Sequence, residues 1–119
     1  MSHHRLENYL RSARKRAGLS QAEVAYLLGC RSGTKVSRYE RFARRPSLET
    51  TFAYEVVFGV PAAELLAGIF QEARRHTVRR ARRLLHKLGS GQSTQRNQQK
   101  LTFLRAISVA PPPPFHEPS

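Results

Sequence analysis

The chain has 119 residues and carries 21 Lys and Arg against 8 Asp and Glu, a formal net charge of +13. This length suffices for one small domain with an appendage, and the charge favours a polyanionic partner, either nucleic acid or an anionic membrane surface. One cysteine, Cys30, excludes an intramolecular disulfide framework, and no apolar stretch approaches the ~20 residues of a membrane span.

The first two predicted helices are separated by one glycine. Apolar residues recur at steps of three and four over residues 6–17, which predicts a helix with one buried face that ends at Gly18. Ser20 and Glu23 then have the spacing of a capping box, in which each side chain binds the other residue's backbone N–H. They predict a second helix over residues 20–28, closed by Gly29.

A third helix is predicted over residues 33–41, with Ser32 and Thr34 as alternative N-caps. Its apolar positions, Val36 and Tyr39, are three residues apart and would face a core. Around them the segment from 33 to 47 holds five cations and one carboxylate. So many like charges repel one another unless an anion lies against them. The cations are Lys35, Arg38, Arg41, Arg44 and Arg45.

Two further helices complete the first part of the chain. Ser47 is the predicted N-cap of a fourth helix, which aligns Leu48, Phe52 and Val56 on one face and ends at Gly59. Pro61 opens a fifth helix. Its predicted inward-facing residues are Leu65, Leu66, Ile69 and Phe70.

The charge distribution changes after Glu72. Residues 1–72 hold 11 Lys and Arg and 7 acids, whereas residues 73–119 hold 10 Lys and Arg and 1 acid. The sequence therefore divides into a helical domain over 1–72, a basic helical extension over 73–89, and a linker with a flexible Pro-rich tail over 90–119. The extension would continue the fifth helix, with Val78, Ala81, Leu85 and Leu88 on one side. Residues 101–110 fit either a strand or a helical turn.

Three motifs identify a family. "GLSQAEVAYLLG", "VSRYER" and "RPSLETTFAYEVVFGVPAAELL" occur in the order, and close to the spacing, of Cro/cI-type (XRE-like) helix-turn-helix regulators. The chain resembles this family over residues 5–70. The resemblance implies an all-α fold, a five-helix lambda-repressor-like DNA-binding domain, with the helix over 33–41 in the major groove. It also implies a cytoplasmic, nucleoid-associated protein that binds double-stranded DNA as a homodimer.

The family's roles transfer to matching positions. Gly33, Thr34, Lys35 and Arg38 would face base edges, with Arg38 suited to a bidentate contact with guanine. Ser37, on the same helix, is also expected to bind DNA. Gln21, at the start of the second helix, matches a position that holds a DNA phosphate. Phosphate contacts are also expected from Arg41, Arg44 and Arg45. Arg14 and Glu40 match a pair that ties the first helix to the third, although an exposed pair of little energetic weight is the alternative.

The chain departs from the family at three points. The turn "GCRSGTKV" is one residue longer than usual, and Gly33 stands where many members have a long polar side chain that reads a base. Phe42 stands where the family often has a glycine in a left-handed conformation. Because a bulky residue is disfavoured there, we expect this loop to follow a different route.

The remaining side chains offer little other chemistry. The five histidines are scattered, so no metal site is predicted, and neither a cofactor nor an enzyme activity is indicated. Additional phosphate contacts are expected from the basic extension, with a solvated helix face as the alternative. These arginines are Arg79, Arg80, Arg82 and Arg83.

Three hypotheses about function remain. The first is a sequence-specific transcriptional regulator, most simply a repressor, whose dimer surface would lie on the extension through Val78, Ala81, Leu85 and Leu88. The second is an antitoxin or accessory regulator of a mobile element, in which the C-terminal tail binds a protein partner. The third is RNA or membrane-surface binding through the basic helix, which the helix-turn-helix pattern disfavours.

Overall fold

The computed structural model describes residues 8–89, 91 and 94–109, and the regular structure within them is entirely α-helical. The chain divides into two compact units, one of residues 1–70 and one of residues 71–119. The predicted all-α fold is confirmed. The helices are α1 Leu10–Ala17, α2 Gln21–Leu28, α3 Gly33–Glu40, α4 Leu48–Phe58, α5 Ala62–Leu65, α6 Ala67–Leu88 and α7 Gln95–Ser108.

The predicted caps set the ends of the helices in the first unit. The Ser20 hydroxyl accepts the Glu23 N–H at 3.0 Å and the Glu23 carboxylate accepts the Ser20 N–H at 2.8 Å, which completes the capping box of α2. This contact also lowers the pKa of Glu23. Ser47 caps α4 by accepting the Thr50 N–H. Ser32, and not Thr34, is the N-cap of α3.

The first helix is shorter than predicted. It begins at Leu10 and not at residue 6, because the Asn8 side chain accepts the Leu10 N–H at 2.9 Å in a local turn that competes with helix. The Asn8 amide also donates to the Tyr39 carbonyl at 2.8 Å. Asn8 therefore joins the start of α1 to the end of α3, and Leu6 lies outside the described residues.

The core of the first unit is enclosed by helices α1 to α5. Leu10, Val24 and Val36 are fully buried, and Tyr54 is 1% exposed. The Tyr54 ring meets Tyr39 edge-on, with ring centroids 6.2 Å apart, and stacks on Phe58 at 6.0 Å. The Tyr54 hydroxyl is buried without a hydrogen-bond partner among the described residues, and burial raises the pKa of Tyr54 well above its ordinary value of 10.0.

The apolar face predicted for α4 is on the outside. Leu48, Phe52 and Val56 do align, but they are 72%, 54% and 83% exposed. The face that packs inward is centred on Tyr54, on the opposite side of the helix, with Phe58 beside it. Periodicity therefore identified the row correctly, and the structure places it on the outer side of the helix.

The predicted fifth helix is broken. The short α5 ends at Leu65, and Leu66 leaves the helical region with φ −114° and ψ 49° before α6 begins. Leu65 and Leu66 are buried and Ile69 packs against the core, as predicted. Phe70 is 37% exposed, so its predicted inward orientation is wrong. The break lets both Leu65 and Leu66 face the core, which two adjacent residues of one continuous helix do less readily.

The second unit contains most of α6 and all of α7. On α6, Val78 and Ala81 are buried, and Leu101 of α7 is buried as well. A linker was expected over residues 90–100, but residues 95–100 are helical because Thr94 caps α7 by accepting the Asn97 N–H. The same helix decides the open alternative at residues 101–108 against a strand. The expected Pro-rich tail over 111–119 lies outside the described residues.

Candidate nucleic-acid interface

Gly33, the first residue of α3, lies against the start of α2. A Cβ atom on this residue would lie 3.1 Å from both the Gln21 Cβ and the Ala22 backbone nitrogen, which is shorter than ordinary van der Waals contact. A glycine at the start of α3 therefore lets its backbone pack on the start of α2. The side-chain position of Gly33 therefore points at the start of α2.

The outer face of α3 carries the exposed polar residues. Val36 and Tyr39 are buried against the core, so the opposite face of the helix points away from the first unit. Thr34, Lys35 and Arg38 are exposed on it. These three positions are the predicted base-reading residues that the structure leaves accessible.

Ser37 and Arg41 lie side by side at the edge of this face. Arg41 Nε donates to Ser37 Oγ at 3.3 Å, across one helical turn. Arg41 itself is the C-cap of α3 and is exposed. The guanidinium of Arg41 keeps further N–H donors for an anion while Ser37 orients it.

The buried carboxylate of Glu40, at the end of α3, connects this helix to α1 and α2. Arg14 Nε donates to Glu40 Oε2 at 2.6 Å and Arg14 Nη2 donates to Oε1 at 3.2 Å, with the two side chains 11% and 4% exposed. Arg14 Nη1 also donates to the Leu19 carbonyl. The bond with Glu40 raises the pKa of Arg14. The pair is therefore the interior tie, and not the exposed alternative.

Gln21 belongs to the same cluster. Its Nε2 donates to Glu40 Oε1 at 3.1 Å, and the side chain is half-buried. An amide nitrogen carries two N–H groups, so one donor remains for another acceptor. The predicted phosphate-contacting residue is thus held by the carboxylate that also fixes α1 to α3.

The loop after α3 contains an unusual backbone conformation. Phe42 has φ +58°, in the left-handed region. Its N–H donates to the Tyr39 carbonyl at 3.1 Å, and the Ala43 N–H donates to the Arg38 carbonyl at 2.8 Å. These two bonds form a Schellman motif, usually built on glycine at this position. The expected different route of the loop is wrong: Phe42 adopts the left-handed conformation itself.

A basic cleft of about 560 Å³ lies beside α3. Lys35, Arg44 and Arg45 line it together, so the structure brings these three predicted site residues to one place. The Arg45 guanidinium lies 5.6 Å from the centroid of the Phe42 ring, a cation–π contact. Ser47 and Thr50, at the start of α4, also line it. A cleft with several cations and a helix start attracts anions.

Arg31 also lines this cleft, and the sequence had not indicated it. It directly precedes the N-cap Ser32, in the turn whose extra residue separated it from the family pattern. The sequence feature that could have identified Arg31 is its position next to a helix start, among other cations. Among the residues that the structure describes, no group of three His, Cys, Asp or Glu side chains is placed to hold a metal ion.

The second unit carries its own basic surface. Arg79, Arg80, Arg82 and Arg83 are all exposed on α6. Arg82 Nη2 donates to the Ser108 carbonyl at 3.1 Å, at the end of α7, where a cation favourably meets the carbonyl groups of a helix terminus. Arg82 is therefore engaged within the unit.

A further row on α6 extends this surface beyond the predicted residues. Arg75, Arg79 and Arg83 follow at steps of four and are all exposed, so they line one side of the helix. The sequence between 73 and 109 contains no acid. On the neighbouring face, Val78 and Ala81 of the predicted dimer surface are buried within the single chain, whereas Leu85 and Leu88 are partly exposed.

No helix in the described part of the chain is both long enough and apolar enough to cross a membrane. A family model described as a helix-turn-helix domain matches residues 5–67, more than half of the chain, and includes α1 to α5. Neither a curated protein nor a solved structure matches the chain significantly. The packing of α2 on α3, the exposed outer face of α3 and this match lead to one conclusion: the chain belongs to the helix-turn-helix domain family, whose fold binds DNA.

Proposed function

We propose that the protein is a sequence-specific regulator of transcription that binds double-stranded DNA, and most simply a repressor that occludes a promoter. One observation carries the proposal: Thr34, Lys35 and Arg38 are exposed on the side of α3 opposite the buried Val36 and Tyr39. An α-helix of this kind fits the major groove, where base edges differ in donors and acceptors.

The residues around α3 would hold the DNA backbone. Arg44 and Arg45 share one cleft, and Arg41 lies at the end of the helix. Cations in such positions set the register of a protein on DNA without reading sequence. Gln21 would use its remaining N–H for a phosphate, together with the backbone N–H groups at the start of α2.

The exposed arginines of α6 would add contacts with DNA outside the sequence that α3 reads. Arg79, Arg80 and Arg83 carry this role, because Arg82 is bound to the end of α7. One recognition helix contacts only a few base pairs, so two copies would read half-sites about 34 Å apart. A homodimer is therefore part of the proposal.

Selection of binding sites from random duplex DNA tests the proposal, because it yields the site, its symmetry and the half-site spacing. The Arg38→Ala variant should then lose about 1–3 kcal/mol of affinity on the selected site if Arg38 reads a base. Its affinity for unrelated DNA should change much less. An equal loss on both DNAs would assign Arg38 to the phosphate backbone, and selection that returns no common sequence would refute sequence-specific binding.

A second candidate function is that of an antitoxin or an accessory regulator of a mobile element. Two apolar side chains on or next to α7, Phe103 and Val109, are 69% and 76% exposed, as a surface for a protein partner would be. Co-purification of a defined partner by the parent chain, and its loss from the Phe103→Arg variant, would favour this function. If no partner co-purifies with the parent chain at a stoichiometric ratio, this second function is refuted and the simple regulator stands.

A further inference from the structure

The outer face of α4 carries a row of apolar side chains that the first unit leaves uncovered. Leu48, Phe52 and Val56 follow at steps of four residues, which aligns them along one side of the helix. Each is more than half exposed, and Val56 is 83% exposed. Single exposed apolar residues are common, but an aligned row of three large ones marks an interaction surface.

We propose that this row, which we call the α4 row, pairs two copies of the chain, with α4 against α4 in antiparallel orientation and Phe52 on the two-fold axis. The choice of a second copy as the occupant rests on the proposed reading of a two-fold DNA site. The pairing itself is a property of the protein that can be measured without DNA.

The spacing of the α4 row is self-complementary. Leu48 lies four residues before Phe52 and Val56 lies four residues after it, each a rise of about 6 Å along the helix. A two-fold axis through Phe52 therefore places Leu48 of one copy against Val56 of the other, twice over. Such a reciprocal contact is what an isologous dimer interface requires.

The charge pattern also favours this surface. Two chains of net charge +13 repel each other, so a contact without cations costs least. In the described structure, α4 is the longest helix that contains no Lys or Arg.

The interface would be small, since it is built on three side chains from each copy. Interfaces of this size form weak dimers in solution. Two copies bound to adjacent half-sites would be held close together, and the effective concentration would then strengthen the pairing. The α4 row thus supplies cooperativity on DNA and does not need a permanent dimer.

Sedimentation equilibrium of the full chain tests the pairing. Phe52→Arg would place two guanidinium groups on the two-fold axis and should weaken self-association at least tenfold, which is about 1.4 kcal/mol. Phe103→Arg and Tyr26→Arg are matched controls, since both residues are exposed aromatics outside the α4 row. They should leave self-association unchanged, and thermal melting should show that all three variants remain folded.

A charge pair tests the antiparallel register. Leu48→Glu and Val56→Lys suit the helix dipole at the start and end of α4, so each variant should fold. Each alone should weaken self-association, because one copy's charged group meets an apolar residue of the other copy. A mixture of the two variants should form heterodimers that contain one Glu–Lys pair and one native Leu–Val pair.

The outcomes separate this inference from the proposed function. A parent chain that stays monomeric at every concentration, an unchanged Phe52→Arg variant, or a mixture that does not associate would each overturn the pairing. Binding of one half-site duplex should be the same for Phe52→Arg and the parent, whereas affinity for two half-sites should fall. If the parent dimerises but binds no DNA, the proposed function fails and the pairing stands.

Discussion

Arg14 and Glu40 form a two-pronged ion pair between α1 and the end of α3, with Nε and Oε2 2.6 Å apart. The same carboxylate accepts a hydrogen bond from Gln21 at the start of α2. Both helices of the motif are therefore positioned by one side chain that is 4% exposed. The orientation of the outer face of α3 depends on this interior contact.

The first prediction concerns the stability that this carboxylate contributes. Glu40→Ala leaves the largely buried Arg14 guanidinium without its partner, and breaking such a pair costs about 3 kcal/mol. Arg41→Ala, at an exposed neighbouring position, should change the free energy of unfolding far less. Urea denaturation of both variants measures the difference. Equal unfolding free energies would mean that the tie adds no net stability.

The second prediction concerns the left-handed backbone at Phe42. Phe42→Gly and Phe42→Ala both remove the ring from its contact with Arg45, but only glycine relieves the steric cost of φ +58°. The glycine variant should be about 1 kcal/mol more stable than the alanine variant. Thermal and chemical melts of the pair check this. An alanine variant at least as stable as the glycine variant would contradict the left-handed conformation.

The third prediction concerns alkaline pH. Burial, the largest cause, raises the pKa of Tyr54 above its ordinary value of 10.0, so the folded state holds the phenol neutral where the unfolded state begins to ionise. Tyr54 therefore contributes fully below pH 10, and this contribution is lost as pH rises from there towards the folded-state pKa. The unfolding free energy of the parent should fall more steeply above pH 10 than that of Tyr54→Phe. Parallel curves would show that Tyr54 ionises as readily when folded.

Near neutral pH the same variant reports on the hydroxyl itself. The Tyr54 hydroxyl forms no hydrogen bond with any described residue. Tyr54→Phe therefore removes a buried polar atom without breaking a hydrogen bond within the protein. The variant should be at least as stable as the parent at pH 7. A loss above about 1 kcal/mol would reveal a hydrogen bond worth that much.

The fourth prediction concerns the basic surface of α6. Each neutralised phosphate contributes about −0.9 to the slope of log affinity against log salt. Replacing Arg79, Arg80 and Arg83 with Gln should flatten that slope by about two to three units and preserve base preference. Arg82→Gln is the matched control, because its guanidinium binds the Ser108 carbonyl, and it should flatten the slope least. An unchanged slope in the triple variant would show that this surface never meets the duplex.

Local signals predicted the helix boundaries well where a single turn decides them. The Ser20–Glu23 capping box and the Ser47 cap are short-range hydrogen bonds, so the sequence alone contains the information. The alignment of Leu48, Phe52 and Val56 was also predicted, but their exposure was not. Periodicity shows that a face exists, whereas its burial depends on a tertiary contact that the pattern does not contain.

The prediction of a linker near the end of the chain was wrong because it rested on the polar composition alone. Gln95 to Lys100 read as a polar linker, yet Gln, Arg and Lys are good helix formers, and Thr94 supplied the cap. In the candidate site, the Arg14–Glu40 tie followed from the family pattern. The bond from Gln21 to Glu40 did not, because it depends on how α2 crosses α3.

The close approach at Gly33 bears on any attempt to retarget the protein to a new DNA sequence. Even a methyl group there would press on backbone atoms of α2, so substitutions at this position should lower stability before they yield new preferences. A combinatorial library that keeps Gly33 and randomises Thr34, Lys35 and Arg38 would vary only side chains that are exposed on the outer face of α3. The glycine thereby limits base contacts from this helix to the three exposed positions that follow it.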